Sequence, residues 1–277
     1  VADKVFELYR KIYLRYGAIK RSRGNFLYTK KEVRLVDMFL EGGRAILGWG
    51  SDHSSAFTLV KNVISRGLTG PFFTEFSPFT DRTDKKTPLS RAVTQLFGNE
   101  RTAFLVQSKQ AALQLAVSMS NDSTSVFTPW LSGDVDWRRV KSIVLKAPFA
   151  WTGDFWIVAC DDSIVTKEII ESCAACPQVN AAVEQGIVRS IYDLIKALQF
   201  RSEKDWFLYD RVLTKYWTRK GPYLYPKIEQ DEYDGFVEHC LECGLVISPI
   251  YQVPSIVPYG ANPGVFSALE KNPYGTK

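Results

Sequence analysis

Three groups of residues have types and spacing that could support chemistry. Gln107, Ser108 and Lys109 stand between an apolar run, Ala103 to Val106, and a helical pattern in Ala111, Ala112, Leu115, Ala116 and Met119. A serine at such a junction serves as N-cap. The free N–H groups of the first turn, with the helix dipole, then favour an anion such as a phosphate ester. The same strand, turn and helix also occur as a capped core unit that holds nothing. Two C-x-x-C pairs, Cys173 with Cys176 and Cys240 with Cys243, have the number of thiolates that a tetrahedral zinc site takes. Both pairs fall near expected helix ends, where cysteine also packs as a small apolar residue. Finally, Gly48 and Gly50 bracket Trp49, with His53 close behind. These glycines permit close approach of a ligand or another chain, or merely turn the backbone. With Tyr259 of the PSIVPYG segment, they are candidate substrate-pocket residues.

Other chemistries lack their patterns. There is no G-x-S-x-G, P-loop or dinucleotide fingerprint, and two histidines are too few for a histidine-rich metal site. The 277 residues, 45% hydrophobic and 23% charged, describe an ordinary globular chain long enough for two folding units. A formal charge of +5 from 35 basic and 30 acidic residues is too balanced to argue for nucleic acid. The densest basic stretch, Lys20 to Arg23, reads as a solvated loop. No apolar run reaches the ~18 residues of a membrane span, and the first ten residues form an amphipathic helix rather than a signal peptide. A cytoplasmic protein without structural disulfides is the expectation.

The elements that must position these residues follow from periodicity. A first helix ends at Gly17, and strands are expected at Phe26 to Tyr28 and Val33 to Phe39. The helix with Ala56, Val60, Val63 and Ile64 follows the glycine turn, and Leu68 to Lys86 is a long loop. Pro88 to Phe97 is a helix closed by Gly98, and Val126 to Trp130 a strand. Asp134 to Arg139 is a short helix. Ser142 to Leu145 and Phe155 to Ala159 are buried strands joined by KAPFAWTGD. Helices are expected at Ile164 to Cys173, Val179 to Phe200, Glu203 to Trp217 and Asp231 to Cys243. GPYLYPKI and GLVIS are strands, and a last helical stretch closes the chain.

This order of pieces resembles the fold-type I, pyridoxal-phosphate-dependent aminotransferases. GGRAILGWGSDHSSAFTLVKNVISRG is similar to the family's glycine turn and connecting helix. LFGNERTAFLVQSKQAALQLAV looks like its phosphate-holding segment. GPYLYPKI and VEHCLECGLVISP look like its closing strands and helix. The resemblance implies an α/β fold, with an abbreviated aminotransferase-like large domain (67–177) and an α+β small domain built from both chain termini (1–66 and 178–277). It implies Gln107, Ser108 and Lys109 on the cofactor phosphate, Lys146 as Schiff-base lysine, and a homodimer. The departures are a shortfall between Met119 and Trp151, no clear carboxylate for the pyridine nitrogen (Asp134 and Asp136 lie in a turn or short helix), and no substrate-clamping arginine in PSIVPYG. Three readings follow: a degenerate homologue that binds a small molecule or partner, with no cofactor chemistry left; an active pyridoxal phosphate transferase acting on an amino acid or amine; and a zinc-stabilised interaction protein using the two cysteine pairs.

Overall fold

The computed structural model describes residues 2–50, 55–69, 87–120, 124–131, 133, 135–151, 153–174 and 179–275, apart from the side chains of Ala2 and 171–174. His53 and Cys176 lie outside the described residues, as does most of the expected 68–86 loop. In chain order come α1 (Ala2–Tyr16), β1 (Ile19–Arg23), β2 (Phe26–Thr29), β3 (Arg34–Asp37), α2 (Ala56–Ser65), α3 (Pro88–Phe97), β4 (Arg101–Gln107) and α4 (Lys109–Met119). Then follow β5 (Thr124–Phe127), β6 (Ser142–Lys146), β7 (Phe155–Asp161), α5 (Lys167–Ala174), α6 (Ala181–Phe200), α7 (Glu203–Phe207) and α8 (Asp210–Leu213). The chain closes with β8 (Trp217–Lys220), β9 (Tyr223–Pro226), α9 (Tyr233–Glu242), β10 (Leu245–Val246), β11 (Ser255–Ile256) and α10 (Ser267–Lys271). By internal contacts, Val1–Ser51 with Gln199–Lys277 forms one unit and Asp52–Leu198 the other.

In the terminal unit, β1, β2 and β3 form an antiparallel meander, and β10 joins β3 in parallel. One face of that sheet is sealed by α1 and α9 around Leu8, Ile12, Leu27, Leu35, Phe39, Leu241 and Val246. The apolar stripe of α1 supplies Leu8 and Ile12, and Gly17 ends the helix at φ 77° with its N–H on the Tyr13 carbonyl. A second sheet runs β11-β9-β8. Within it Arg219 binds both Asp210 oxygens and reaches Glu203, tying β8 to the short helices before it.

The middle unit is a four-stranded sheet in the order β4-β7-β6-β5. Both β4 and β6 run antiparallel to β7, and β5 runs parallel to β6. Alternation sends Phe104, Val144, Trp156, Val158 and Cys160 toward α4, where Ala112 and Ala116 let the helix sit close. Thr87 caps α3 by accepting the Ser90 N–H (3.2 Å), and Gly98 closes it at φ 78°.

Several expectations need correcting. Lys20 to Arg23 is not a loop but part of β1, an exposed edge strand whose lack of apolar alternation hides it. Glu203 to Trp217 is not one helix. The Ser202–Asp205 capping box closes a single turn, α8 follows, and Trp217 opens β8. Residues 137–139 are turn rather than helix, and Asp134 lies outside the described residues. The strand expected at Val126 to Trp130 is Thr124–Phe127, and the helix after Ile164 begins at Lys167, behind a 3₁₀ turn.

Candidate functional site

The turn from β4 into α4 is a strained junction. Ser108 has φ 90° and ψ 145°, a region that costs a residue with a Cβ about 1–3 kcal/mol. Its N–H donates to the Asp154 carbonyl (2.8 Å), and its Oγ accepts the Ala111 N–H (3.3 Å). Satisfying Ala111 in this way leaves the N–H groups of Lys109 and Gln110 at the open end of an 11-residue helix. Gln107, Ser108 and Lys109 are all exposed.

Strand register brings Lys146 to the same place. In the β4-β7-β6 rows, Val106, Trp156 and Lys146 stand opposite one another and so share the α4 face. The Lys146 Nζ lies 5.2 Å from the Trp156 ring centroid, and the Lys109 Nζ lies 5.8 Å from it. Two ammonium groups, one from a strand end and one from a helix start, thus converge on one indole. Trp156 is buried, 6% exposed, and among the described residues its Nε1–H has no hydrogen-bond partner. A buried donor without an acceptor costs about 1–3 kcal/mol, so an acceptor atom at this point would be stabilised. Lysine ammoniums, a helix start and an orphan N–H all call for an acceptor-rich anion. Ser108, Lys109 and Lys146 are legible as candidates in the sequence; Trp156 is not, because only the pairing register brings it beside Lys146.

The loop after Lys146 is pinned. Phe149 is buried, stacks on Trp151 (5.8 Å between centroids) and meets Phe57 of α2. A Cβ at Gly186 of α6 would come within 2.8 Å of Phe149 and 2.7 Å of Val60, so glycine is what lets these elements meet.

The pocket candidates Gly48, Trp49, Gly50 and Tyr259 belong to the terminal unit. Trp49 is already engaged there. Its Nε1–H donates to the Asp37 Oδ2 (2.7 Å), and its backbone pairs with Gly24. A Cβ at Gly48 would lie 3.2 Å from the Gly24 Cα, so this glycine serves that backbone approach. Asp37 is buried. Its Oδ1 accepts the N–H groups of Phe39 (3.0 Å) and Leu40 (2.8 Å). Burial pushes its carboxyl up to about 6, while the Leu40 N–H and the Trp49 indole pull it down. The ring of Tyr259 carries the Arg201 guanidinium at 4.0 Å, and Arg201 also donates to the Ile46 carbonyl (3.1 Å). Neither Asp37 nor Arg201 stood out in the sequence.

Of the two cysteine pairs, Cys240 and Cys243 are described through their side chains, and Cys240 is a packing residue. Cys240 is fully buried in α9, and burial raises its thiol well above the usual range, away from the thiolate a metal needs. Cys243 caps the same helix, raised first by burial and then by Glu242, with its Sγ 3.9 Å from the His239 Nε2. Cys173 lies in α5, of whose side chain nothing is described. Among the described residues, no three His, Cys, Asp or Glu side chains group to hold a metal.

For pyridoxal phosphate the fit divides. Ser108, Lys109 and Lys146 would suit its phosphate, with the buried Trp156 N–H beneath them. A carboxylate for its ring nitrogen is absent from β5, the neighbour of β6, which reads Thr124, Ser125, Val126, Phe127. Asp136 instead closes its own turn, accepting the Arg138 N–H (3.3 Å) and pairing with Arg139 (3.2 Å). No catalytic step through that group follows from these residues.

No family profile matches the chain. It is 25% identical over 297 residues to an uncharacterised protein of Treponema pallidum, covering 89% of this chain and 91% of that one. It is 24% identical to an uncharacterised protein of Borreliella burgdorferi, over 91% and 88%. Among solved structures it is similar to the ornithine aminotransferase of Plasmodium yoelii, with TM-score 0.65, 12% identity, and 95% of this chain and 97% of that one covered. It is also similar to the acetylornithine aminotransferase of Elizabethkingia anophelis, with TM-score 0.59, 10% identity, and 95% and 97% covered. The fold is therefore of the aminotransferase type, a mixed α/β architecture over nearly the whole chain.

Proposed function

We propose that this chain is a degenerate aminotransferase-fold protein. It binds a small phosphate-bearing molecule of the pyridoxal phosphate class at Gln107, Ser108, Lys109, Lys146 and Trp156, and performs no transferase chemistry. The observation that carries this reading is the convergence of Lys109 and Lys146 on a buried indole with an orphan N–H. Lys109 and Lys146 supply charge, and the Trp156 N–H supplies a directional bond. The start of α4 supplies backbone donors. The missing carboxylate on β5 speaks against the electron-sink chemistry that pyridoxal phosphate supplies when bound, since that chemistry draws on a protonated ring nitrogen. A cytoplasmic homodimer belongs to the same proposal.

A second reading, an active transferase on an amino acid or amine, is favoured by one feature. Lys146 ends β6 at the start of the loop packed through Phe149, a position suited to presenting an amine.

The deciding experiment adds pyridoxal phosphate to the purified protein and records absorption and tryptophan fluorescence before and after borohydride reduction. Saturable quenching with no covalent adduct supports the binding protein. A visible band that borohydride fixes on Lys146, abolished in Lys146→Ala, supports the transferase. No saturable response at millimolar ligand overturns both.

A further inference from the structure

The segment from Ile19 to Arg34 holds six basic residues (Lys20, Arg21, Arg23, Lys30, Lys31 and Arg34) against one acidic, Glu32, a surplus equal to the formal charge of the entire chain. The fold sorts these charges by face. In β1, β2 and β3, Ser22, Leu27, Thr29 and Leu35 fall on one face, toward the core. Arg21 pairs with Tyr28, Tyr28 with Arg34, and Arg23 with Phe26, so all five share the other. The three arginines are exposed and the two aromatics half-buried. The Arg21 guanidinium lies 4.2 Å over the Tyr28 ring, and that of Arg34 lies 4.7 Å over Phe26. The sole acidic residue in these strands, Asp37, is buried and bonded to Phe39, Leu40 and Trp49. Glu32, at the β2–β3 turn, pairs with Lys20.

Charge on a sheet edge can serve simply to block strand pairing. Arg34, however, is on an inner strand, and its guanidinium is held 4.7 Å from the Phe26 ring centroid. Guanidiniums on aromatic supports offer an anion their positive charge and a planar ring a stacking surface. Single-stranded nucleic acid has both features, phosphates on one side and open π-faces on the other. We propose that this face, Arg21, Arg23, Phe26, Tyr28 and Arg34, binds single-stranded nucleic acid. The inference uses the terminal unit alone and does not depend on the phosphate site of the middle unit.

The test is fluorescence polarisation of a labelled oligouridylate 12-mer against salt concentration, using the full chain. The wild type binds with an affinity that falls as salt rises. Arg21→Gln with Arg23→Gln and Arg34→Gln weakens binding at least about tenfold at low salt and lowers the salt slope by about 2, near 0.7 per charge lost. Tyr28→Leu weakens it about fivefold or more with the slope unchanged, and Tyr28→Phe restores it. Lys109→Ala leaves it unaltered, which separates this face from the phosphate site. Circular dichroism confirms that each variant is folded. Absence of binding at 50 mM salt, equal binding of the duplex that the 12-mer forms with oligoadenylate together with a silent Tyr28→Leu, or capture by phosphatidylserine vesicles that the oligomer cannot displace would each overturn the proposal.

Discussion

Asp37→Asn gives the sharpest energetic forecast. A carboxyl that titrates near 3.8 when exposed and at about 6 in the fold differs by about 3 kcal/mol between its two states. The unfolded chain releases this proton first, so between those pH values the native state holds the extra proton and stability falls as pH rises. The contribution is complete below about 4 and lost above about 6. Asparagine cannot ionise. Its carbonyl keeps the Phe39 and Leu40 bonds, whereas its NH₂ faces the Trp49 Nε1–H, 2.7 Å from the oxygen it replaces, at a cost of about 1–3 kcal/mol. At pH 4 the variant is therefore less stable than wild type. By pH 7 wild type has lost about 3 kcal/mol that the variant keeps, and the order levels or reverses. Urea unfolding followed by tryptophan fluorescence at pH 4, 5.5 and 7 reads the difference directly. A gap between the two proteins that stays constant across this range would refute the argument that burial dominates Asp37.

Two further substitutions test the middle unit. Gly186→Ala gains about 1 kcal/mol of helix propensity but drives a methyl to 2.7 Å from Val60 and 2.8 Å from Phe149, so a net loss of about 1–2 kcal/mol and a Tm lower by several degrees are expected in calorimetry. An unchanged or higher Tm would mean that α6 and the 147–154 loop give way freely. Ser108→Gly relieves the strain of φ 90° and loses only a few tenths of capping energy, so denaturation should show a gain of about 1 kcal/mol. A loss would show that the serine cap outweighs the strain.

Much of the fold was legible because its signals are local. Pro88 and Gly98 bracket α3, and the spacing of Ala112 and Ala116 marks the packed face of α4. The apolar runs of β6 and β7 read as buried strands and are so. What failed depended on tertiary context. Trp206, Phe207, Val212, Leu213 and Tyr216 have helical spacing, yet Arg219 draws the chain into a strand by binding Asp210. β1 carries charge where alternation would be sought, because its partner is β2 on one side only. At the proposed phosphate site, Ser108 announced itself as a cap and Lys146 as the first residue of a loop between two strands. Trp156 did not, since an apolar strand residue becomes a common platform for two lysines only through register. Asp37 in RLVDMF was the missed signal of the terminal unit, a lone carboxylate within a buried strand.

The central claim is that the Trp156 site recognises a phosphate. It is tested most directly by comparing the affinities of pyridoxal phosphate and pyridoxal, by calorimetry, for wild type and for the Lys109→Ala, Lys146→Ala double variant. The account predicts that wild type prefers the phosphorylated ligand by about tenfold or more, roughly 1.4 kcal/mol, and that the double variant loses this preference while staying folded. Equal affinity of wild type for the two ligands, or a preference that survives removal of both lysines, would contradict it.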